Sequence, residues 1–325
     1  MSLTGLVKGT GPSGFGWSTT AEQVVDGLDL SDRTILLTGC NSGIGLETMR
    51  VLVARGATVL AAARSREKAI AAGEEVGGDT IPVVCDLAEP ESIRRCVEDI
   101  QEKDHRIDAL IANAGIMALP KLETICGVEK QLFVNHVGHF LLITGLLEQL
   151  TDDGRVVMVS SGAHKAAPRE GIEFDNLSGE KRYGGWRAYG QSKLANLLFA
   201  RELGRRFEEG DSNRKTNAIH PGPIDTNLTR HMNVLARGAW TVMGPLFLKS
   251  IPEGAATQVW AAVHPDTADY NGEYMADCNI AKSSAEGADS ELAEKLWQET
   301  EKIVESLDAT GSSHVAVQGT AKSAS

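Results

Sequence analysis

From Arg33 onward, short β-branched runs alternate with longer segments whose apolar residues recur at helical spacing. The runs with the length and composition of strands are RTILLT, ATVLAAA, TIPVVC, DALIAN, RVVMVS, KTNAIH and GEYMAD. The segments with helical periodicity are LETMRVLVAR, ESIRRCVEDIQEK, HVGHFLLITGLLEQL and SKLANLLFARELGRRF. Strands that alternate with helices form parallel sheets covered by helices on both faces. The pattern therefore predicts one α/β domain built on a doubly wound parallel β-sheet of about seven strands.

The two ends of the chain depart from this alternation. Residues 1–30 form an N-terminal extension with a Gly-rich piece, GTGPSGFGW, followed by STTAEQVV, in which Thr19 and Glu22 predict a capping box. The domain spans residues 31–310, and near its end ELAEKLWQETEKIVESL predicts a surface helix. The Ser- and Ala-rich residues 311–325 are expected to form a flexible tail.

One internal segment also breaks the pattern. Residues 228–253 are apolar, are interrupted by glycine and proline, and follow a predicted strand end, which is where ligand sites form in open α/β sheets. We therefore predict a substrate loop at residues 228–253. Its residues Trp240, Met243, Leu246 and Phe247 indicate a hydrophobic substrate, although a dimer contact or a surface resting on a membrane would explain them equally well.

The charge balance and the cysteines exclude several functional classes. The chain has 32 Lys and Arg residues against 44 Asp and Glu residues, a formal net charge of −12, whereas nucleic-acid binding needs an extended basic surface. No apolar run approaches the roughly 18 residues of a spanning helix, and the N-terminus lacks a signal-peptide core. The five cysteines are scattered without a CxxC pair, which favours reduced core thiols over disulfides or a metal site. The sequence thus predicts a soluble cytoplasmic protein with no nucleic-acid partner and no transmembrane anchor.

The first predicted strand runs into TGCNSGIGLE, a glycine-rich turn that opens a helix. Glycines at such a turn let backbone N–H groups approach a pyrophosphate, whose charge is also favoured at a helix N-terminus. A tight turn would explain the glycines alone, but the strand before and the helix after them favour a dinucleotide site in a Rossmann-type fold. The candidate contacts are Gly39, Asn41, Ser42, Gly43, Ile44 and Gly45.

The end of the second predicted strand indicates which dinucleotide binds. An acidic residue here binds the adenosine 2′-hydroxyl of NAD, and an arginine suits the 2′-phosphate of NADP. The stretch AAARSREK places Ala63 where the acid would stand, followed by Arg64. NADP is therefore the predicted cofactor. NAD is the alternative, in which Arg64 is only a solvated loop charge.

The stretch RAYGQSKLAN places Tyr189 and Lys193 on one face of a predicted helix, four residues apart. A nearby ammonium group lowers the pKa of a tyrosine from about 10 toward the working range of a general acid or base. The pair alone is explained more simply by a packed ring and a solvated amine. Tyr183 is not a candidate because Arg187, not lysine, follows it at that spacing.

The wider pattern resembles the short-chain dehydrogenase/reductase family over residues 32–304. The glycine spacing matches, as do Asn135, Ser161, Tyr189 and Lys193 in that order. The resemblance implies that Tyr189 exchanges a proton with the substrate oxygen, that Ser161 hydrogen-bonds this oxygen, and that Lys193 lowers the pKa of Tyr189 and binds the nicotinamide ribose. Asn135, at a helix irregularity, would hold a water that links Lys193 to solvent. Ser160 is the alternative for the serine role.

The same resemblance implies further cofactor contacts. A pair after the third strand would contact the adenine, an NAG motif follows the fourth strand, and a PG segment after the sixth strand would approach the nicotinamide carboxamide. These candidates are Asp86, Leu87, Asn113, Ala114, Gly115, Pro221, Gly222, Ile224 and Thr226. Without the resemblance, each would pass as a turn residue at a strand end.

Several stretches, including SSGAH, FDNLSGEKRY and AIHPGPIDTNLTRH, are similar to the retinol-dehydrogenase-like branch of the family. This likeness implies an NADP(H)-dependent oxidoreductase that interconverts a hydrophobic alcohol and its aldehyde or ketone. A non-catalytic NADP-binding regulator and a nucleotide-sugar epimerase or dehydratase are the alternatives. Family members commonly form dimers or tetramers, and the segments HVGHFLLITGLLEQL and SKLANLLFAREL are apolar enough to serve as the interface.

Overall fold

The computed structural model describes residues 9–224 and 248–317, and side chains up to residue 307. Its strands are β1 (Thr34–Thr38), β2 (Thr58–Ala63), β3 (Thr80–Val84), β4 (Ile107–Ala112), β5 (Thr124–Ile125), β6 (Val128–Glu129), β7 (Leu150–Val159), β8 (Lys215–His220), β9 (Tyr274–Ala276) and β10 (Asn279–Ile280). Eight strands form one sheet in the order β10-β9-β8-β7-β4-β1-β2-β3. Only the β9–β10 pair in this sheet is antiparallel. The predicted α/β Rossmann-type single domain is confirmed.

The described residues contain nine α-helical segments, of which the first precedes β1 and the last follows β10. They are α1 (Ala21–Val24), α2 (Gly43–Ala54), α3 (Arg66–Val76), α4 (Pro90–Glu102), α5 (Lys130–Leu132), α6 (Gly138–Gly145), α7 (Gly185–Glu209), α8 (Ile251–Val263) and α9 (Ser290–Val317). A π-helical turn, Phe133–Val137, joins α5 to α6. Single 3₁₀ turns are found at Leu147–Gln149, Gly162–Ala166, Phe174–Asn176, Pro265–Thr267 and Glu286–Ala288.

Successive residues of a strand point to opposite faces of the sheet. Helices cover both faces here, so both are buried. In β1, Ile35 and Leu37 belong to one core with α1, α2, α3 and α8. Leu36 belongs to the opposite core with α4, α6, α7 and Trp297 of α9. This two-sided burial explains why the strands read as continuous apolar runs and not as alternating ones.

Several element boundaries differ from the sequence predictions. The helix predicted at residues 136–150 begins at Lys130 and ends at Gly145, and Leu150 already belongs to β7. The helix α3 was not predicted, because its small apolar residues give a weak periodic signal. The last helix reaches Val317, past the predicted start of the tail at residue 311. The predicted core location of the thiols fails for Cys126, which is exposed.

The predicted substrate loop falls largely on residues 225–247, outside the described residues, together with Thr226, Trp240, Met243, Leu246 and Phe247. Its predicted last residues, 251–253, are in the first turn of α8 instead. Ser250 and Glu253 form a capping box there, which fixes the start of this helix.

The N-terminal extension packs on the domain. The predicted capping box at Thr19 and Glu22 is wrong by one residue: Thr20 caps α1, and the Gln23 side chain accepts from the Thr20 backbone N–H. A glutamine amide oxygen fills the position as well as a carboxylate does. Ala21, Val24 and Val25 are fully buried in the core shared with α8.

The helix α9 covers the apolar face shared by α6 and α7. Trp297 stacks on Phe199 with the ring centroids 5.4 Å apart, and meets the Phe140 ring edge-on at 4.8 Å. The imidazole of His136 lies 2.9 Å from the Thr300 hydroxyl. Side chains of both segments predicted as an association surface therefore contact a helix of the same chain. None of the described helices combines the length and apolarity that crossing a membrane requires.

Candidate active site

The candidate residues gather at the carboxyl edge of the sheet, around the ends of β1, β4, β7 and β8. This edge is where open α/β sheets bind their ligands. The glycine-rich turn follows β1, Asn113 to Gly115 follow β4, and Ser161 follows β7. The sheet order places β1, β4, β7 and β8 side by side, which brings together residues far apart in the sequence.

The glycine-rich turn depends on close backbone contacts. Gly39 has a positive φ of 69°, and a Cβ there would lie 2.9 Å from Cα of Ala114. A Cβ on Gly45 would lie 2.1 Å from the carbonyl oxygen of Gly39. A Cβ on Gly43, at φ 58°, would meet no described atom within 4 Å. The turn is thus tight on its inner side and open where a ligand would approach.

Hydrogen bonds from the residues after β4 hold the start of this turn in place. The amides of Asn113 and Ala114 both donate to the hydroxyl of Thr38 at 3.0 Å. The Asn113 side chain donates to the carbonyl oxygen of Thr38 at 2.9 Å. Its Oδ1 is buried and has no hydrogen-bond partner among the described residues. Buried polar atoms are normally satisfied, so this oxygen fits a site that takes a polar ligand.

Tyr189 and Lys193 lie on one face of α7, opposite Ser161. The Ser161 hydroxyl lies close enough to Tyr189 to affect its pKa and accepts from the amide of Ala163 at 3.1 Å. The Lys193 ammonium is 5.8 Å from the centre of the Tyr189 ring and donates to the carbonyl oxygen of Val159 at 2.9 Å. Ser160 is buried and donates to the backbone of Lys193, so Ser161 is the serine that faces Tyr189.

The electrostatics of this pair differ from the expectation. Burial raises the pKa of Tyr189, and the hydrogen bond from Ser161 only partly opposes this effect. Burial also lowers the pKa of Lys193 to about 8. The predicted lowering of the Tyr189 pKa by Lys193 is not seen, because desolvation of Tyr189 is the largest effect and the Lys193 ammonium donates to the carbonyl oxygen of Val159 instead.

Asn135 lies within the π-helical turn, as the predicted helix irregularity required. Its Oδ1 accepts from the amide of Ile116 at 2.8 Å, and its Nδ2 donates to the carbonyl of Ile116 and to the hydroxyl of Ser192. A Cβ on Gly115 would lie 3.1 Å from Asn135 Oδ1 and 3.3 Å from Lys193 Nζ. Asn135, Gly115 and Lys193 therefore meet. The water relay through Asn135 stays a prediction.

Sequence reasoning missed the link between Asn135 and the glycine-rich turn. Nδ1 of His139 donates to the carbonyl oxygen of Asn135, so Nε2 of this neutral ring accepts from the hydroxyl of Thr38, both at 2.9 Å. Burial lowers the pKa of His139 to about 4, and Lys193 adds to this effect. The only signal in the sequence is a polar residue at each end of the link, in TGCNSG and in NHVGHF.

The PG segment after β8 reaches the same edge of the sheet. Pro221 and Ile224 are buried, and Gly222 has φ 92°. A Cβ on Gly254 of α8 would approach side-chain atoms of both Ile224 and Ile44 within 3.1 Å. The PG segment and the glycine-rich turn thus converge on the start of α8.

The remaining predicted contacts lie in the turn itself or follow β2 and β3. Arg64 is exposed directly after β2, and Asn41 and Ser42 are exposed in the turn. The Asp86 carboxylate accepts from the amide of Ala88 at 3.0 Å, and Leu87 is buried against Gly138. Tyr183, set aside on its spacing, donates to the carbonyl of Leu119 at 2.7 Å and takes no part in this group.

The sequence profile of the family described as short chain dehydrogenase matches residues 33–234. The chain belongs to the short-chain dehydrogenase family. This short-chain dehydrogenase is 40% identical over 321 residues to the chloroplastic short-chain dehydrogenase TIC 32 A of Brassica napus, covering 94% of this chain and 100% of the relative. It is 36% identical over 294 residues to human retinol dehydrogenase 14, covering 84% and 86% of the two chains.

Solved structures agree with this assignment. An uncharacterised protein from Mycobacterium paratuberculosis superimposes with a TM-score of 0.73 at 34% identity, over 89% of this short-chain dehydrogenase and 98% of that chain. A short-chain dehydrogenase from Burkholderia cenocepacia, solved with NADP, gives a TM-score of 0.61 at 25% identity, over 77% and 97% of the two chains.

Proposed function

We propose that this protein is an NADP(H)-dependent oxidoreductase that interconverts a hydrophobic alcohol and its aldehyde or ketone. One observation carries the proposal. Tyr189, Ser161 and Lys193 lie together at the sheet edge, directly beside a glycine-rich turn that is open on its outer side. Both a proton donor and a dinucleotide site are needed for carbonyl reduction, and these residues supply the two in one place.

Each residue has a distinct part in this proposal. NADPH, when bound, supplies the hydride. Tyr189 gives its phenolic proton to the carbonyl oxygen, or takes the hydroxyl proton in the reverse direction, and Ser161 donates a hydrogen bond to the same oxygen. Lys193, whose pKa is lowered by burial to about 8, would hold the nicotinamide ribose.

The choice of NADP over NAD rests on the end of β2. No acidic residue stands at Ala63, and Arg64 is exposed beside it, which suits a 2′-phosphate. The solved relative from Burkholderia cenocepacia binds NADP. The unpartnered Oδ1 of Asn113 and the tight inner side of Gly39 and Gly45 fit a dinucleotide laid across the turn.

An apolar substrate is supported by the surface next to Tyr189. Trp186 is 56% exposed, and its ring meets the Tyr189 ring edge-on at 6.1 Å. Met117 is 37% exposed in the loop whose backbone presses on Gly185, next to Trp186. Large exposed apolar side chains beside a reactive group favour an apolar ligand.

The proposal can be tested by measuring the oxidation of NADPH in the presence of a panel of aromatic and long-chain aldehydes and ketones. We expect turnover by the wild type, and a loss of kcat/KM of at least about 100-fold in Tyr189→Phe, which removes the proton donor. Tyr183→Phe is the matched control and should keep its activity. Tight NADPH binding without turnover of any carbonyl would overturn the proposal in favour of a non-catalytic NADP-binding protein.

A further inference from the structure

A fully buried lysine lies outside the catalytic group. The side chain of Lys249 has 0% exposure, and its ammonium is 2.7 Å from the Asp277 carboxylate, which is 23% exposed. The ammonium also lies 5.1 Å from the centre of the Trp17 ring. Burying a charge costs free energy unless the charge is paired. An apolar residue would fill this position at lower cost, which suggests that the lysine has a function.

Lys249 contacts the PG segment along most of its length. Its backbone N–H donates to the carbonyl oxygen of Pro223 at 2.8 Å, and it forms a parallel bridge with Ile224. A Cβ on Gly222 would lie 2.7 Å from Cδ and 3.0 Å from Cε of Lys249. The aliphatic stem of this lysine is therefore the surface against which Gly222 packs at φ 92°.

The two groups that hold the Lys249 ammonium come from opposite ends of the chain. Asp277 lies in the turn between β9 and β10, where its φ is 53°. Trp17 belongs to the N-terminal extension and is only 6% exposed. Asn279 joins the two, because its Oδ1 accepts from the amide of Ser13 and its Nδ2 donates to the carbonyls of Phe15 and Asp277.

We propose that Trp17, Asp277 and Lys249 are positioning residues that hold the PG segment, residues 221–224, in place for the nicotinamide half of the cofactor. The inference rests on the proposed function. It gives the N-terminal extension a role at the active site: Trp17 covers the ammonium, Asp277 neutralises it, and the fixed lysine stem sets the path of Gly222. None of the three needs to touch the cofactor.

The test compares two ligands by fluorescence titration, which requires no turnover. NADPH carries the nicotinamide. The second ligand, 2′-phospho-ADP-ribose, has the same adenosine 2′-phosphate and pyrophosphate but no nicotinamide. We expect Trp17→Leu and Lys249→Met each to weaken NADPH binding by about tenfold while the Kd of 2′-phospho-ADP-ribose stays within about twofold of wild type. Trp17→Phe, which keeps an aromatic face, should recover most of the NADPH affinity.

The control variant is Lys181→Met, which removes an exposed ion pair with Asp175 and should change neither Kd. Equal weakening of both ligands, or a lower Tm with both affinities unchanged, would reduce the three residues to a merely structural role and overturn the inference. Asp277→Asn gives a milder change if Lys249→Met does not fold. The proposed function can fail independently of this inference. In that case the wild type would reduce no carbonyl, but the variants would still lose affinity for NADPH and not for 2′-phospho-ADP-ribose.

Discussion

At the scale of single residues, Lys193 shows how burial sets the chemistry. Its ammonium is fully buried, and the acceptor given by the structure is the carbonyl oxygen of Val159. Desolvation disfavours the charged form, which lowers the pKa of Lys193 from 10.5 to about 8. The position of Lys193 relative to Tyr189 follows from helical spacing. The burial of Lys193 does not follow from that spacing, because it depends on the segments that pack around the helix.

Lys193 should make stability depend on pH in alkaline solution. Because its pKa is about 8 in the folded state and 10.5 in the unfolded chain, the unfolded chain binds more protons between these values, and stability rises with pH across this window. We expect the free energy of unfolding of the wild type to rise by up to about 3 kcal/mol more than that of Lys193→Met between pH 8 and 10.5. Urea unfolding of both proteins at several pH values measures this difference in unfolding free energy. Parallel curves for the two proteins would contradict the lowered pKa.

At the scale of elements, the last helix completes the core on one side of the sheet. Trp297 of α9 lies between Phe199, Phe140 and the guanidinium of Arg206, which is 4.2 Å from its ring centre. His136 joins the π-helical turn to Thr300 of the same helix. The turn that carries Asn135 is therefore fixed from both sides, by Ile116 toward the active site and by α9 on the outside.

Trp297→Ala should therefore destabilise the whole domain. Removing a buried tryptophan leaves a cavity and loses its packing, which costs about 3–5 kcal/mol of unfolding free energy. Denaturant unfolding monitored by circular dichroism gives the value. The matched control is Trp186→Ala, since Trp186 is 56% exposed and its loss should cost about 0.5 kcal/mol or less. Similar losses in the two variants would mean that α9 adds little to the core.

At the scale of the whole molecule, the placement of α9 changes the expected assembly. Side chains of the two segments that looked apolar enough to pair with a second copy, among them Phe140 and Phe199, already contact α9 of the same chain. Leu296 and Ala293 are among the α9 residues buried in this contact. A surface buried within one chain is not available for pairing between copies.

We propose that α9 takes the place that a second copy would occupy on α7, so that the 325-residue chain is a monomer. Size-exclusion chromatography with light scattering should give a mass near 34.7 kDa. A chain that ends at residue 289 lacks α9, exposes the apolar face, and should associate or aggregate. A full-length dimer would show that pairing uses another surface.

Features that arise from local spacing could be predicted from the amino-acid sequence. The alternation of runs and periodic segments predicted the fold, the glycine spacing predicted the turn after β1, and the four-residue step placed Tyr189 beside Lys193. Even local signals failed where two neighbouring residues were equivalent, as with Thr19 and Thr20 at the start of α1. Other features emerge only in the folded chain: the raised pKa of Tyr189, the link from His139 to Thr38, the contact of Trp17 with Lys249, and the packing of Trp297 on Phe199. Burial and long-range pairing depend on how distant segments pack, and no short window of sequence contains both partners.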